Sequence, residues 1–397
     1  MPLQRRDPRV QYAIVTGSYW SFTLTDGALR MLIVLFFHEL GFSPLEVASL
    51  FLLYEFFGIV TNLLGGWLAA RIGLNMTMHA GMALQIISLG MLLVDPSMLS
   101  IAYVMVAQAL SGIAKDLNKM SAKSAIKTLI KDEGGLYKWV AALTGSKNAL
   151  KGLGFFLGGA LLAAFGFQGA LLAMILLLGI TVVISIALLE RQSGVTSFKA
   201  KFTDLFSKSP AINRLSAARF FLFSARDIWF VVALPVYLQS QLGWSYTAVG
   251  TLLAGWVIAY GMVQATAPKI TGPRPTAKSA WLWASILTLI PAMIAAALLT
   301  DWSSQIVLVS GLLVFGLVFA INSSIHSYLI VSWARSDGVS LDVGFYYMAN
   351  AAGRLFGTIL SGLVYQLWGL AACLIIAAAL LALSALFASK TPTPNTD

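Results

Sequence analysis

Cysteine is almost absent, with Cys373 alone among 397 residues. One thiol excludes an intramolecular disulfide framework and leaves no cysteine cluster for metal or redox chemistry. Charge is also thin: Asp, Glu, Lys and Arg make up 11% of the chain, against 58% hydrophobic residues. So few polar groups could not cover the surface of a soluble domain of this size. The leading MPLQRRDPRVQYAIV has a short basic stretch but no small-residue cleavage site. The apolar run from Tyr12 to about Phe37 is too long for a signal peptide and reads as a retained first span. The sequence shows no metal cluster, nucleotide loop or catalytic triad, so an enzyme is not expected and no cofactor is implied.

Long apolar runs are what the chain has instead. A helix needs about 20 apolar residues to cross a bilayer core. Twelve such spans can be drawn, at approximately 12–38, 46–70, 77–94, 99–124, 138–164, 168–189, 212–238, 246–267, 279–299, 303–331, 343–367 and 369–388. The net charge of +10 lies largely in alternate loops. Arg5, Arg6, Arg9, Arg71, Lys127, Lys131, Lys138, Arg191, Lys199, Lys201, Lys208, Lys269, Arg274, Lys278, Arg335 and Lys390 mark one side. The loops HELGFSPLE, VDPSM, FGFQG, QSQLGWSY, TDWSS and QLWG carry no Lys or Arg. Positive charge marks the cytoplasmic side, so both termini are expected inside and the span count is even. A bilayer, not nucleic acid, accounts for the basic balance.

The polar segment from about Glu190 to Pro210 divides the chain near its middle. LGFSPLEVASLFLL, from Leu40, matches LGWSYTAVGTLLAG, from Leu242, and LKGLGFFLGG, from Leu150, matches GRLFGTILSG, from Gly353. In that register Lys151 falls on Arg354, and Asp26 lands within one position of Asp227. The expected organisation is a six-helix bundle over 1–190, a cytoplasmic linker over 191–211 and a second bundle over 212–397. Two parallel six-helix halves mark the major facilitator fold, whose substrate site lies near the midplane. Gly66-Trp67-Leu68-Ala69-Ala70-Arg71-Ile72-Gly73 resembles that superfamily's loop signature. Ala70 stands where the family carries aspartate, which puts a charged gate in doubt. Gly66, Arg71 and Gly73 are the candidate gate residues. Gly154, Gly158 and Gly159 resemble a fifth-helix antiporter motif but read better as close helix packing, because Phe155 replaces its proline.

Cations inside the spans carry the functional signal. Arg30, Lys115, Lys147, Lys151, Arg219, Arg226 and Arg354 lie at depth, against the acids Asp26, Glu55, Asp116 and Asp227. A cation in hydrocarbon costs roughly 3 kcal/mol on the lenient scale, so each needs a use. In the expected fold, spans 1, 2, 4, 5, 7, 8, 10 and 11 line the cavity, and every deep charge falls among these. The surplus of cations suits a multiply charged anion, with arginine forks and lysine point charges fitting oxyanions. The seven cations are the candidate substrate-binding residues, and the four acids are candidates for proton coupling or charge pairing. Asp26 and Arg30 are four apart and can neutralise each other. Arg226 and Asp227 are adjacent, so at least one must find a partner on another helix. Lys123 and Lys127 are expected to snorkel to the inner interface. Tyr54, Asn118, Asn148, His326 and Asn350 are further polar candidates.

VTGSYWSFTLTDGALRML, LLYEFFGIVTNLLGGWLAARIGLN, ALSGIAKDLNKMSAKSAIK and GSKNALKGLGFFLGG closely resemble the organoarsenical efflux permeases (ArsJ type) of bacterial arsenic-resistance operons. The likeness is densest in the first half and extends more thinly through ARFFLFSARDIWFVVALPVYLQ. It implies export of 1-arseno-3-phosphoglycerate across a bacterial inner membrane. It also implies glyceraldehyde-3-phosphate dehydrogenase as the functional partner that makes this ester from arsenate. The residues themselves indicate only a polyanion transporter, which leaves open an organophosphate–phosphate exchanger. A drug exporter fits poorly, and a membrane enzyme or receptor would need a catalytic cluster or a soluble domain.

Overall fold

A computed structural model describes residues 7–42, 49–129, 133–189, 209–244, 246–300, 302–336 and 338–391. Most of the expected linker 191–211 lies outside these, as do Arg5, Arg6, Lys131, Arg191, Lys199, Lys201 and Lys208. No strand occurs among the described residues. The helices are α1 (Pro8–Glu39), α2 (Leu52–Ile72), α3 (Leu74–Met91), α4 (Ile101–Leu129), α5 (Glu133–Leu188), α6 (Pro210–Phe230), α7 (Ala233–Ser240), α8 (Tyr246–Thr271), α9 (Ala277–Ala297), α10 (Ser304–Trp333) and α11 (Val339–Ser389). Among the described residues eight stretches are long and apolar enough to cross a bilayer, and Gly135–Leu188 and Val339–Ser389 are each long enough for two crossings. With α3 and α4, which are more polar, the count reaches the expected twelve.

The two double-length helices are broken by single glycines. Gly166 (φ 67°) interrupts α5 and Gly369 (φ 76°) interrupts α11, at the expected FGFQG and QLWG loops. Positive φ costs an L side chain roughly 1–2 kcal/mol, so glycine permits a turn with no longer loop. Span seven breaks differently. Pro235 has no N–H and its ring crowds the carbonyl four residues earlier. The regular helix is accordingly interrupted by a turn at Val231–Val232, between α6 and α7, where Ser361 Oγ accepts from Ala233 N at 3.1 Å.

The helices group into two compact units. The first contains residues 1–136, 146–206 and 334–348; the second contains 137–145, 207–333 and 349–397. The grouping does not follow chain order, since the start of α5 packs with the second unit and the start of α11 with the first.

Within the first unit, α4 is the buried helix. From Ala114 to Ile126 only Lys115 and Lys119 are even partly exposed. A helix this polar is tolerated because protein, not lipid, surrounds it. Backbones come close where side chains vanish: a Cβ on Gly27 would sit 2.7 Å from the Lys151 carbonyl oxygen, and one on Gly154 would sit 2.6 Å from that of Leu24. Gly158 likewise meets the Ala28 carbonyl, whereas Gly159 meets only Leu35 Cδ1 at 3.7 Å. Between α3 and α4, a short 3₁₀ turn at Pro96–Met98 is capped by Asp95. Hydrogen bonds from the Ser97 hydroxyl and N–H hold the Asp95 carboxyl below the usual carboxylate range.

Within the second unit, α10 is fully buried from Val318 to Val331. Trp229, Trp256, Phe315 and Phe319 form its aromatic core. Apolar residues elsewhere remain exposed at helical spacing, as with Leu282, Ile286, Leu289 and Met293 on α9. Such stripes suit lipid contact.

Candidate functional site

In the first unit, α1, α2, α4 and α5 bring most of the expected charges together. Arg30 Nη2 meets Glu55 Oε1 at 3.2 Å, and its guanidinium lies over the rings of Phe51 (5.0 Å) and Tyr54 (4.7 Å). Tyr54 donates its hydroxyl to Asp26 Oδ1 at 2.7 Å. On α4, Asp116 serves two lysines, Lys119 at 2.6 Å and Lys115 at 3.8 Å. Lys151, set beside α1 by the Gly27 crossing, is in electrostatic reach of Arg30, Asp26, Lys147 and Lys115. Five cations (Arg30, Lys115, Lys119, Lys147, Lys151) thus face three carboxylates (Asp26, Glu55, Asp116). Internal pairing cannot neutralise them all.

The second unit repeats the construction. A Cβ on Gly353 would lie 2.9 Å from Phe220 Cα, and one on Gly357 would lie 2.6 Å from the Ser224 carbonyl oxygen. Between these glycines stands Arg354, whose Nε meets Asp227 Oδ2 at 3.4 Å. Arg226 Nε meets Asp227 Oδ1 at 2.5 Å. Asp227 therefore does find a partner on another helix, as its adjacency to Arg226 requires. Arg219 is buried; its Nε donates to Asn350 Oδ1 (2.9 Å) and its Nη1 to Ser323 Oγ (3.0 Å). Arg226 and Arg354 thus share one carboxylate, and the third arginine, Arg219, is held by neutral acceptors. Lys151 and Arg354, Gly154 and Gly357, and Gly166 and Gly369 are each 203 residues apart, so the sequence repeat extends to the packing.

Gly66, Arg71 and Gly73, the candidate gate residues, lie at the end of α2. Gly66 packs on Ser340 and Gly344, the latter 3.2 Å from a Cβ built at 66. Arg71 is exposed and lies over Trp67 at 4.7 Å. Gly73 (φ 95°) joins α2 to α3, its N–H returning to Ala69 O at 2.9 Å. Ala70 packs with Leu341 and Trp67 in a small apolar cluster. Nearby, the buried carboxylate of Asp342 accepts from Arg335 N, Nε and Nη2 at 2.9–3.1 Å.

Two residues correct the sequence reading. Lys123 is 2% exposed with its Nζ 5.7 Å from the Tyr347 ring, so it does not snorkel. Lys127 is half-buried and donates to the Ala334 carbonyl. Lys119 lies 4.8 Å from the same Tyr347 ring. The aromatic partners were the missed element: Phe223 lies under both Arg219 (4.1 Å) and Arg226 (4.6 Å). Its spacing, four after one arginine and three before the other on one helix, was the available signal.

Apolar helical spans throughout, with a cluster of charged side chains enclosed in each unit, define a multi-pass membrane transporter. The sequence profile of the Major Facilitator Superfamily matches residues 15–329 and 215–397, and the chain belongs to that superfamily. It is similar in fold to the human organic anion transporter TETRAN, at TM-score 0.76 and 16% identity over 97% of this chain and 100% of that one. The proton:xylose symporter XylE matches at TM-score 0.77 and 14% identity, over 97% and 96%. The Escherichia coli fucose:proton symporter FucP matches at TM-score 0.75 and 11% identity, over 98% and 100%.

Proposed function

We propose that this protein exports an anionic organoarsenical, 1-arseno-3-phosphoglycerate, from the bacterial cytoplasm by alternating access, and so confers arsenate resistance. The observation that carries the reading is the excess of partly or fully buried cations over carboxylates among the described residues of each unit. Maintaining that excess in a membrane is costly unless an anion is bound. Its donors suit oxyanions: arginine forks at Arg30, Arg226 and Arg354, and lysine point charges at Lys115, Lys147 and Lys151. The proposed ligand carries an arsenate and a phosphate group, and the long sequence motifs resemble the organoarsenical permeases. In this reading the protein resides in the inner membrane with both termini cytoplasmic, the bundles span 1–190 and 212–397, and the dehydrogenase supplies the ester without a stable complex.

The test is resistance in an arsenic-sensitive bacterium. Cells expressing the chain should tolerate arsenate only when glyceraldehyde-3-phosphate dehydrogenase can form the ester. They should gain nothing against arsenite, which is neutral at pH 7. Equal protection against both rejects the proposal. Export of glycerol phosphate in exchange for phosphate, without arsenate resistance, would establish the organophosphate exchanger instead.

A further inference from the structure

Tyr54 is where the charges of the first unit converge. It is 1% exposed, and two cations lie over its ring, the Arg30 guanidinium carbon at 4.7 Å and Lys115 Nζ at 3.9 Å. Its hydroxyl donates to Asp26 Oδ1 at 2.7 Å. The residue is held from behind by α4, since a Cβ on Gly112 would lie 2.6 Å from the Tyr54 carbonyl oxygen and 3.0 Å from its Cα.

This arrangement addresses a conflict built into any anion site that contains carboxylates. Each carboxylate competes with the ligand for the same N–H donors. Glu55 already takes one N–H of Arg30 at 3.2 Å, and Asp26, one turn from Arg30 on the same helix, is the further competitor. A ring attracts a cation through its quadrupole, without taking up the N–H donors that an oxyanion needs. A phenol hydroxyl, meanwhile, satisfies part of a carboxylate's acceptor capacity. One residue does both.

We propose that Tyr54 is a positioning residue for anion binding, its ring holding Arg30 and Lys115 while its hydroxyl occupies the Asp26 carboxylate that would otherwise compete for them. The inference rests on the reading of these cations as ligand-binding. Its consequence is a specific rescue. Tyr54→Phe keeps the ring but releases Asp26, so anion binding weakens about tenfold, the change that roughly 1.4 kcal/mol produces. Adding Asp26→Asn to Tyr54→Phe removes the competitor and returns the affinity to near the wild-type value. Tyr54→Leu loses the ring, and Asp26→Asn does not rescue it.

The experiment measures binding of 3-phosphoglycerate and of arsenate to the purified full-length protein by tryptophan fluorescence, with thermal unfolding as the check on folding. Asp26→Asn alone serves if the Tyr54 variants do not fold, because the phenol can still donate to the amide oxygen; it should bind both probes no more weakly than wild type. Weaker binding by Asp26→Asn, unchanged binding by Tyr54→Phe, or a double variant no better than Tyr54→Phe would each overturn the inference. A wild-type protein that binds neither probe would overturn the anion-site reading and this inference with it, a result distinct from the other three.

Discussion

Asp227 serves two arginines, so it matters most in the second unit, where it is the one carboxylate among the described residues. It is fully buried. Removing one partner of a buried ion pair costs about 3–5 kcal/mol, because the remaining charge is left uncompensated. Asp227→Asn is therefore expected to lower the unfolding midpoint sharply, and Asp227→Asn with Arg226→Gln to recover part of the loss. Equal midpoints for Asp227→Asn and wild type would contradict the pairing. Arg226, Arg354 and Lys151 should behave differently when changed singly to glutamine. Export should fall at least about tenfold with normal membrane expression, since a charge-assisted hydrogen bond contributes roughly 1.5–3 kcal/mol. At this scale the sequence showed which charges were deep but not which neighbour each would meet. Lys123 illustrates the gap: its place near the inner end of α4 suggested a snorkelling side chain, yet α4 is enclosed there and Tyr347 from α11 covers it. Lys123→Ala is accordingly expected to cost about 1–3 kcal/mol through lost packing, and Lys138→Ala, on an exposed face, under about 0.5 kcal/mol. Thermal unfolding of the two in one detergent compares them directly.

At the scale of elements, glycines decide where helices cross and where they break. Gly158 faces the Ala28 carbonyl and Gly159 faces a leucine methyl, although they are neighbours in sequence. Leucine at 158 must push α5 away from α1 and displace Lys151 with it; leucine at 159 has side-chain atoms that can yield. Gly158→Leu should abolish export and lower thermal stability, and Gly159→Leu should change either only slightly. Similar behaviour of the two would show that the crossing is looser than described. Much of this was legible. Reading Gly154 and Gly158 as close packing agrees with their contacts, and the FGFQG and QLWG segments did turn the chain. The break between α6 and α7 was missed because span seven was read as one apolar run, although Pro235 lies within it. What the sequence could not supply was which helix each glycine would touch, because that depends on contacts distant along the chain.

For the whole molecule, the charge-sorted loops and the internal repeat were sufficient for twelve spans and the superfamily fold. The assignment of 137–145 and 334–348 to the opposite units was not visible, since it depends on packing and not on local pattern. A negative cytoplasm makes anion efflux favourable by itself: moving one charge through 100 mV is worth about 2.3 kcal/mol, so two or three negative charges gain roughly 5–7 kcal/mol. Coupling to protons is then unnecessary, and on this reading Glu55, Asp116 and Asp227, each ion-paired, hold cations instead of carrying protons. We therefore expect potential-driven uniport. The most direct test uses everted membrane vesicles with an imposed lumen-positive potential and no pH gradient. The bath supplies glyceraldehyde-3-phosphate, NAD, arsenate and the dehydrogenase, and arsenic in the lumen is counted. The account predicts accumulation that requires both the dehydrogenase and this protein. Accumulation of arsenic from arsenate alone, or none with every component present, would contradict it; accumulation only when a pH gradient is added would leave the substrate standing and refute the uniport.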